Sequence, residues 1–232
     1  MFETINRIVI MVLPVLFAVG VHEAAHGFAA WKMGDDTAAR AGRITLNPLR
    51  HIDIAGSIIL PLMLVLASAP FVFGYARPVP INPGLFREYK KGVIVVSLAG
   101  ICANLVCLAA SGILFRLVLA GARAWAPAGS PAAMVASQLL LLLWFSVLIN
   151  AVLAVFNMIP LPPLDGSRVI TVFLPVGLQK RVASMERFGI MILLFLFIIK
   201  ADVVFSVINA LITPLVVLAL GRNGVALMAT GF

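Results

Sequence analysis

A chain of 232 residues that is 62% hydrophobic and 11% charged, with a mean hydropathy of +1.13, has too much apolar surface for a water-soluble domain. The composition predicts an all-α polytopic membrane protein, and residues 1–232 read as a single membrane-embedded unit with no separate soluble domain. A net charge of +8 would point to nucleic acid in a soluble protein, but here the basic residues lie mostly between apolar segments, where they set topology; the bilayer, not nucleic acid, is the expected partner.

Six apolar stretches follow one another: residues 7–31, 52–73, 92–120, 133–159, 185–199 and 203–220. Each of the first four is long enough to cross about 30 Å of hydrocarbon at about 1.5 Å per residue. The last two are short and separated by Lys200, Ala201 and Asp202, which predicts a C-terminal helical hairpin over 185–220. The first run does not read as a secretion signal, because Glu3 and a single Arg7 make a poor basic leader and cleavage near Ala29 and Ala30 would discard the motif described next.

That motif is VHEAAHGFAA. His22 and His26, four apart, stack on one face of a helix and can grip a metal ion. Neutral imidazoles suit zinc, and Glu23, beside the first ligand, is placed to take a proton from water activated by the ion. A chance polar cluster is the bland alternative, but an ionisable side chain in a membrane helix costs roughly 2.5–3.5 kcal/mol, so such residues are usually paired and functional.

The polar stretch from Lys32 to His51 ends the first helix at Gly34 and the two aspartates, and its RITL run, residues 43–46, alternates as a short β-strand would. GYARPVPINPGLF carries Pro78, Pro80 and Pro83, which forbid a helix and favour extended chain, so short β-strand loops are expected near the site. In the third segment Gly100 and Asn104 share a helix face; taken alone they read as a packing glycine and an interhelical amide, and Asn150 in the fourth has the same standing. Cys102 and Cys107, five apart in one segment, give neither a disulfide framework nor a thiolate site.

The fourth segment ends in FNMIPLPPLDGSR, where Pro160, Pro162 and Pro163 break the helical ladder ahead of Asp165. Asp165 can be read as a helix cap in a surface loop. A catalytic zinc, however, wants three protein ligands, and the first helix supplies two. His51 and Asp53 can also complete the set, but they occupy an ordinary interfacial position and rank below Asp165.

With HEAAH at 22–26, Gly100 to Asn104, and NMIPLPPLDG at 157–166, the chain resembles the site-2 protease family of intramembrane zinc metalloproteases, in its short form without PDZ or CBS domains. The resemblance spans residues 22–166, with a catalytic core over 7–176. It implies one zinc ion held by His22, His26 and Asp165, with Glu23 as general base and then acid. It implies that Asn157 helps hold the substrate or its developing oxyanion, with Asn104 and Gly100 as weaker candidates for that neighbourhood. The implied substrate is a transmembrane protein cut in or near its membrane segment. Neither the particular substrate nor the oligomeric state is fixed by the residues.

Bringing the end of the first segment and the loop after the fourth to one membrane face requires both to run in the same direction. One of the two segments between them must then dip in and return, and residues 52–73, with Gly56 and Pro61, are the better choice. On that arrangement thirteen of the seventeen Lys and Arg residues share the metal-site face, leaving Arg7, Arg116, Arg123 and Lys200 opposite; six full crossings would give 10 to 7. The positive-inside tendency favours the 13 to 4 split and a multi-pass protein of the cell membrane with its site toward the cytoplasm. Two other classes share some of these features: a metal or ion transporter with a midplane site, and an inactive relative that binds membrane helices.

Overall fold

The computed structural model describes residues 2–68 and 74–230, and among them it is all-helical. Helix α1 spans Phe2–Met33. It stops where Gly34 adopts φ +112°, and the Gly34 and Asp35 amides cap the free carbonyls of Trp31 and Ala30 at 3.1 and 2.9 Å. That is a Schellman turn, which only a residue without a Cβ enters easily. A one-turn helix α2, Thr37–Arg40, follows.

Residues 54–66 form a π-helical turn, Ile54–Ile59, that runs into α3, Leu60–Leu66. At about 1.5 Å per residue this piece reaches roughly 20 Å, too short to cross the hydrocarbon. Its two ends are tied together: the Arg77 N–H donates to the His51 carbonyl at 2.9 Å and the Tyr75 N–H to that of Gly56 at 3.1 Å. The chain therefore leaves and comes back at one place. Residues 69–73 of this expected segment lie outside the described residues.

Among the described residues four helices are long and apolar enough to cross a membrane: Ile10–Met33 within α1, α4 (Tyr89–Trp125), α5 (Pro131–Met158), and Met191–Met228 late in the chain. Helix α5 opens with Ser130 accepting from the Ala133 N–H at 3.2 Å and Pro131 in its first turn. After it come α6 (Asp165–Thr171), α7 (Val176–Met185) and α8 (Gly189–Thr230). Helices α1, α4 and α5 pack against one another, and α8 packs along both α4 and α5. Phe115, Val147 and Ala151 are fully buried there, with Leu108, Ile208, Ile212 and Leu220 around them. Two polar pairs cross the α4–α5 seam, Ser111 with Ser146 and Asn104 with Asn150, each at 2.8 Å. Such interhelical bonds fix register where lipid supplies no hydrophobic drive.

In place of the six expected segments, four long helices are seen among the described residues, and the stretch expected as a C-terminal hairpin is helical on both sides of a kink. Lys200 leaves helical geometry (φ −134°, ψ 38°), and the Phe197 and Phe205 rings stand 5.6 Å apart. In a straight helix that spacing would place them about 12 Å apart. The chain bends without turning back, because α8 begins with Gly189 against Pro162 and Pro163 and reaches Ala219 beside Gly112 and Gly224 beside Phe115. Arg222 consequently lines one cleft with Arg116 and Arg123. The expected strands are also absent among the described residues: 43–46 and 74–82 run without a ladder.

Side chains bind the backbone of residues 74–82, here called the strap, in place of a partner strand. Ser57 donates to the Tyr75 carbonyl at 2.9 Å, Arg43 donates to those of Arg77 and Pro78 at 2.8 and 3.4 Å, and Asp35 accepts from the Asn82 N–H at 2.6 Å. Burial alone would raise the Asp35 pKa, but hydrogen bonds from the Thr37 hydroxyl and the Asn82 and Thr37 amides outweigh it and hold the carboxyl below its ordinary value. A group with a depressed folded pKa stabilises above its unfolded value and loses that contribution as pH falls through the folded one. Asp35→Ala should cost about 1–3 kcal/mol by removing the acceptor for buried donors. In detergent, its thermal midpoint should fall and protease cleavage within 74–88 should rise; acid should produce the same loosening in the parent protein only below about pH 4.

Candidate metal centre

His22 and His26 project from α1 toward α4, and both are buried. The Val96 carbonyl of α4 lies 2.7 Å from His26 Nδ1. A carbonyl can only accept, so Nδ1 carries the proton and Nε2 presents a bare lone pair in the neutral ring. The same reasoning orients His22. Asn104 Nδ2 donates to the Ala18 carbonyl at 3.2 Å and to Asn150 Oδ1 at 2.8 Å, which turns Asn104 Oδ1 toward His22 Nδ1 at 2.6 Å. Asn150 in turn donates to the Ser146 carbonyl at 2.8 Å. His22 thus also donates from Nδ1 and offers Nε2.

The two Nε2 atoms lie 3.0 Å apart, and Asp165 Oδ2 stands 3.3 Å from that of His22 and 3.2 Å from that of His26. Asp165 Oδ2 is buried with no hydrogen-bond donor of its own. Three lone pairs meeting in a buried space repel one another unless a cation sits between them. A tetrahedral zinc with bonds of about 2.0–2.1 Å would set its ligand atoms about 3.3 Å apart, close to the spacings seen. Among the described residues, these three form the group able to hold a metal ion.

Two glycines make the convergence possible. A Cβ on Gly100 would lie 2.5 Å from His22 Cε1 and from His26 Nε2, so α4 approaches the imidazoles only with hydrogen at that position. A Cβ on Gly166 would lie 2.2 Å from the Met158 carbonyl oxygen, so the start of α6, which carries Asp165, packs against the end of α5 only with glycine there. The spacing of HEAAH, Gly100 to Asn104 and LDG therefore corresponds to one packed centre.

The other expected residues take different places. The Glu23 carboxylate accepts from the Val79 N–H of the strap at 2.8 Å through Oε2. Asn104 meets the His22 ring edge remote from Asp165, and Gly100 packs on both rings. Asn157, on the last turn of α5, turns its amide back to the Leu153 carbonyl at 3.0 Å. His51 is a buried strut whose Nε2 meets the Thr45 carbonyl at 2.9 Å, and Asp53 caps the turn at Gly56, so neither joins the metal group. Sequence reading missed Arg43, Asp35 and the Val79 amide. A polar pair just past the helix stop hinted at Asp35; a backbone amide leaves no trace in the sequence.

The chain is 36% identical over 202 residues to the Bacillus subtilis protein named "Putative zinc metalloprotease YwhC", a match covering 86% of each chain. The chain belongs to the site-2 protease family. Two mycobacterial relatives are more distant: the proteins named "Putative zinc metalloprotease Rip2" of Mycolicibacterium smegmatis and of Mycobacterium tuberculosis H37Rv are 30% and 28% identical over 191 residues. The match covers 65% and 64% of those longer proteins, against 80% and 79% of this site-2 protease family member. No protein-family model and no solved structure matches the chain.

Gly100→Ala and Gly166→Ala test the centre without touching a ligand. Each should lower bound zinc, read by atomic emission after purification, at least tenfold relative to the parent protein, as should Asp165→Asn.

Proposed function

We propose that this member of the site-2 protease family is an intramembrane zinc metalloprotease that hydrolyses a peptide bond in or near the transmembrane segment of another membrane protein. The observation that supports it most is the meeting of two bare imidazole nitrogens and a donor-free carboxylate oxygen at 3.0–3.3 Å, one residue along the chain from Glu23. The donor set suits zinc, and the names of the relatives agree.

A zinc ion held by His22, His26 and Asp165 supplies Lewis acidity toward a peptide carbonyl and toward water. Glu23 then accepts a proton and passes it to the leaving amine. Asn104 and the Val96 carbonyl hold the imidazoles in the tautomer that presents Nε2. Asn157 is assigned the oxyanion, for which its amide leaves Leu153. A helical substrate hides its amides, so cleavage needs a locally unwound chain, laid along the strap or along residues 43–46 in the manner of an added strand.

The catalytic core, residues 7–176, and the last helix form one embedded domain in the cell membrane, with residues 52–73 re-entrant and the metal site toward the cytoplasm. Counting Arg222 with Arg116 and Arg123, beside which it lies, turns the 13 to 4 division of basic residues into 12 to 5, which still supports that orientation. A cysteine introduced at Lys180 should label only from the cytoplasmic side of intact cells and one at Ser130 only from outside; the reverse pattern overturns the orientation.

Purified protein incubated with single-span membrane proteins should release fragments that vanish with a zinc chelator and return with zinc. Glu23→Gln should keep its zinc and lose cleavage by about a thousandfold or more, comparable to loss of a catalytic base and its electrostatics. A transporter would keep moving metal after the same substitution, which separates the two readings.

A further inference from the structure

Beside the strap lies a cavity of about 350 Å³ walled by Ala41, Arg43, Leu49, Arg50, Ile52, Arg77 and Pro80. Three of those seven residues bear a guanidinium. None of the three makes an ion pair with a carboxylate among the described residues; Arg40 pairs with Asp36, Lys91 with Glu88 and Arg168 with Glu186 instead. Arg50 and Arg77 are exposed. Arg43 is 8% exposed, spends its Nη2 on the Arg77 and Pro78 carbonyls, and keeps a buried Nε–H with no acceptor. Burial, with Arg77 and Arg50 close by, pushes the Arg43 pKa down. Its guanidinium nevertheless stays charged, since arginine in proteins does not give up its proton.

A buried N–H donor without a partner and three like charges around one hollow are each unfavourable for folding. Both are relieved by an anion with at least two acceptor oxygens, the geometry that the planar guanidinium fork fits. The position of the hollow says where such an anion comes from. Glu23 also bears on Arg43 electrostatically and holds the Val79 N–H, while Arg43 holds the Arg77 and Pro78 carbonyls just before it. Extended chain advances about 3.3 Å per residue, so the hollow adjoins the strap within about one residue of the point that Glu23 holds.

We propose that this hollow is a subsite for a carboxylate of the polypeptide substrate, an Asp or Glu side chain lying about two to four residues from the scissile bond. The proposal rests on the protease reading and adds a substrate class to it: membrane proteins with an acidic residue on the polar flank of the cleaved segment. Leu49, Ile52 and Pro80 form the apolar part of the wall, against which the methylenes of that side chain pack.

The test uses Glu23→Gln protein loaded with zinc in phosphatidylcholine nanodiscs and a fluorescent single-span peptide with an Asn-Pro break near one end of its apolar run. Asp or, in the matched control, Asn is placed two, three or four residues from that break on the polar flank. The Asp peptide at one of these positions should bind at least about fivefold more tightly than its Asn counterpart, by anisotropy, with the ratio shrinking between 50 and 500 mM salt. Arg50→Gln and Arg77→Gln, on two separate segments and both exposed, should each bring the ratio below about twofold while zinc content and elution volume stay unchanged. Equal affinity of Asp and Asn peptides at all three positions overturns the subsite, as does a preference that survives both arginine substitutions. A preference erased by adding 20% phosphatidylglycerol assigns the hollow to lipid headgroups and overturns it too. Cleavage of the same peptides by the zinc-loaded parent protein is read separately: tight, arginine-dependent binding without cleavage leaves the subsite standing and counts against the protease reading, and cleavage blind to Asp does the opposite.

Discussion

A carboxylate oxygen within 3.3 Å of two imidazole lone pairs, all three buried, is an arrangement that repels itself unless a cation lies within it. The surrounding fold serves to impose that arrangement. Val96 and Asn104 each claim one Nδ1 proton, so neither ring can rotate or change tautomer to escape; Asn150 and the Ala18 carbonyl lock Asn104 in turn. Glycine at 100 and at 166 removes the atoms that would keep α4 and the start of α6 at a distance. The energy for this comes from elsewhere, from the apolar seam among α4, α5 and α8, and the polar pairs crossing that seam fix where along it the helices stop sliding.

Outside the helical frame, a second constraint governs residues 74–82. Three prolines in the neighbouring sequence prevent both a helix and a regular ladder, which leaves backbone groups to be satisfied by other means. Ser57, Arg43, Asp35 and Glu23 do so one at a time. The strap is therefore an element whose shape is dictated by side chains of other segments. That is why charged residues gather around it.

This also explains which parts were legible in the sequence. His22, Glu23 and His26 declare themselves through a local spacing that any helix converts into a shared face. Asp165 was reachable by counting ligands and by family resemblance, since nothing local separates it from a helix cap. The roles of Asn104 and Gly100 were blurred because a buried amide beside a ligand and one beside a substrate look alike until the ring edge they face is known. The strand expected at 43–46 has the right alternation, but Arg43 spends its side chain on the strap in place of backbone pairing. Lys200 and Asp202 resemble the polar tip of a hairpin; in the fold Lys200 marks a bend, and α8 continues to the far end of α4. Long-range contacts such as Val79 with Glu23 have no signature at all in composition or period.

The hydrogen bond between the Val79 amide and Glu23 Oε2 ties the strap to the helix that carries both imidazoles. Whatever shifts the strap away from α1 therefore also removes a hydrogen bond from the carboxylate next to His22, so the position of the strap and the surroundings of that acid change together.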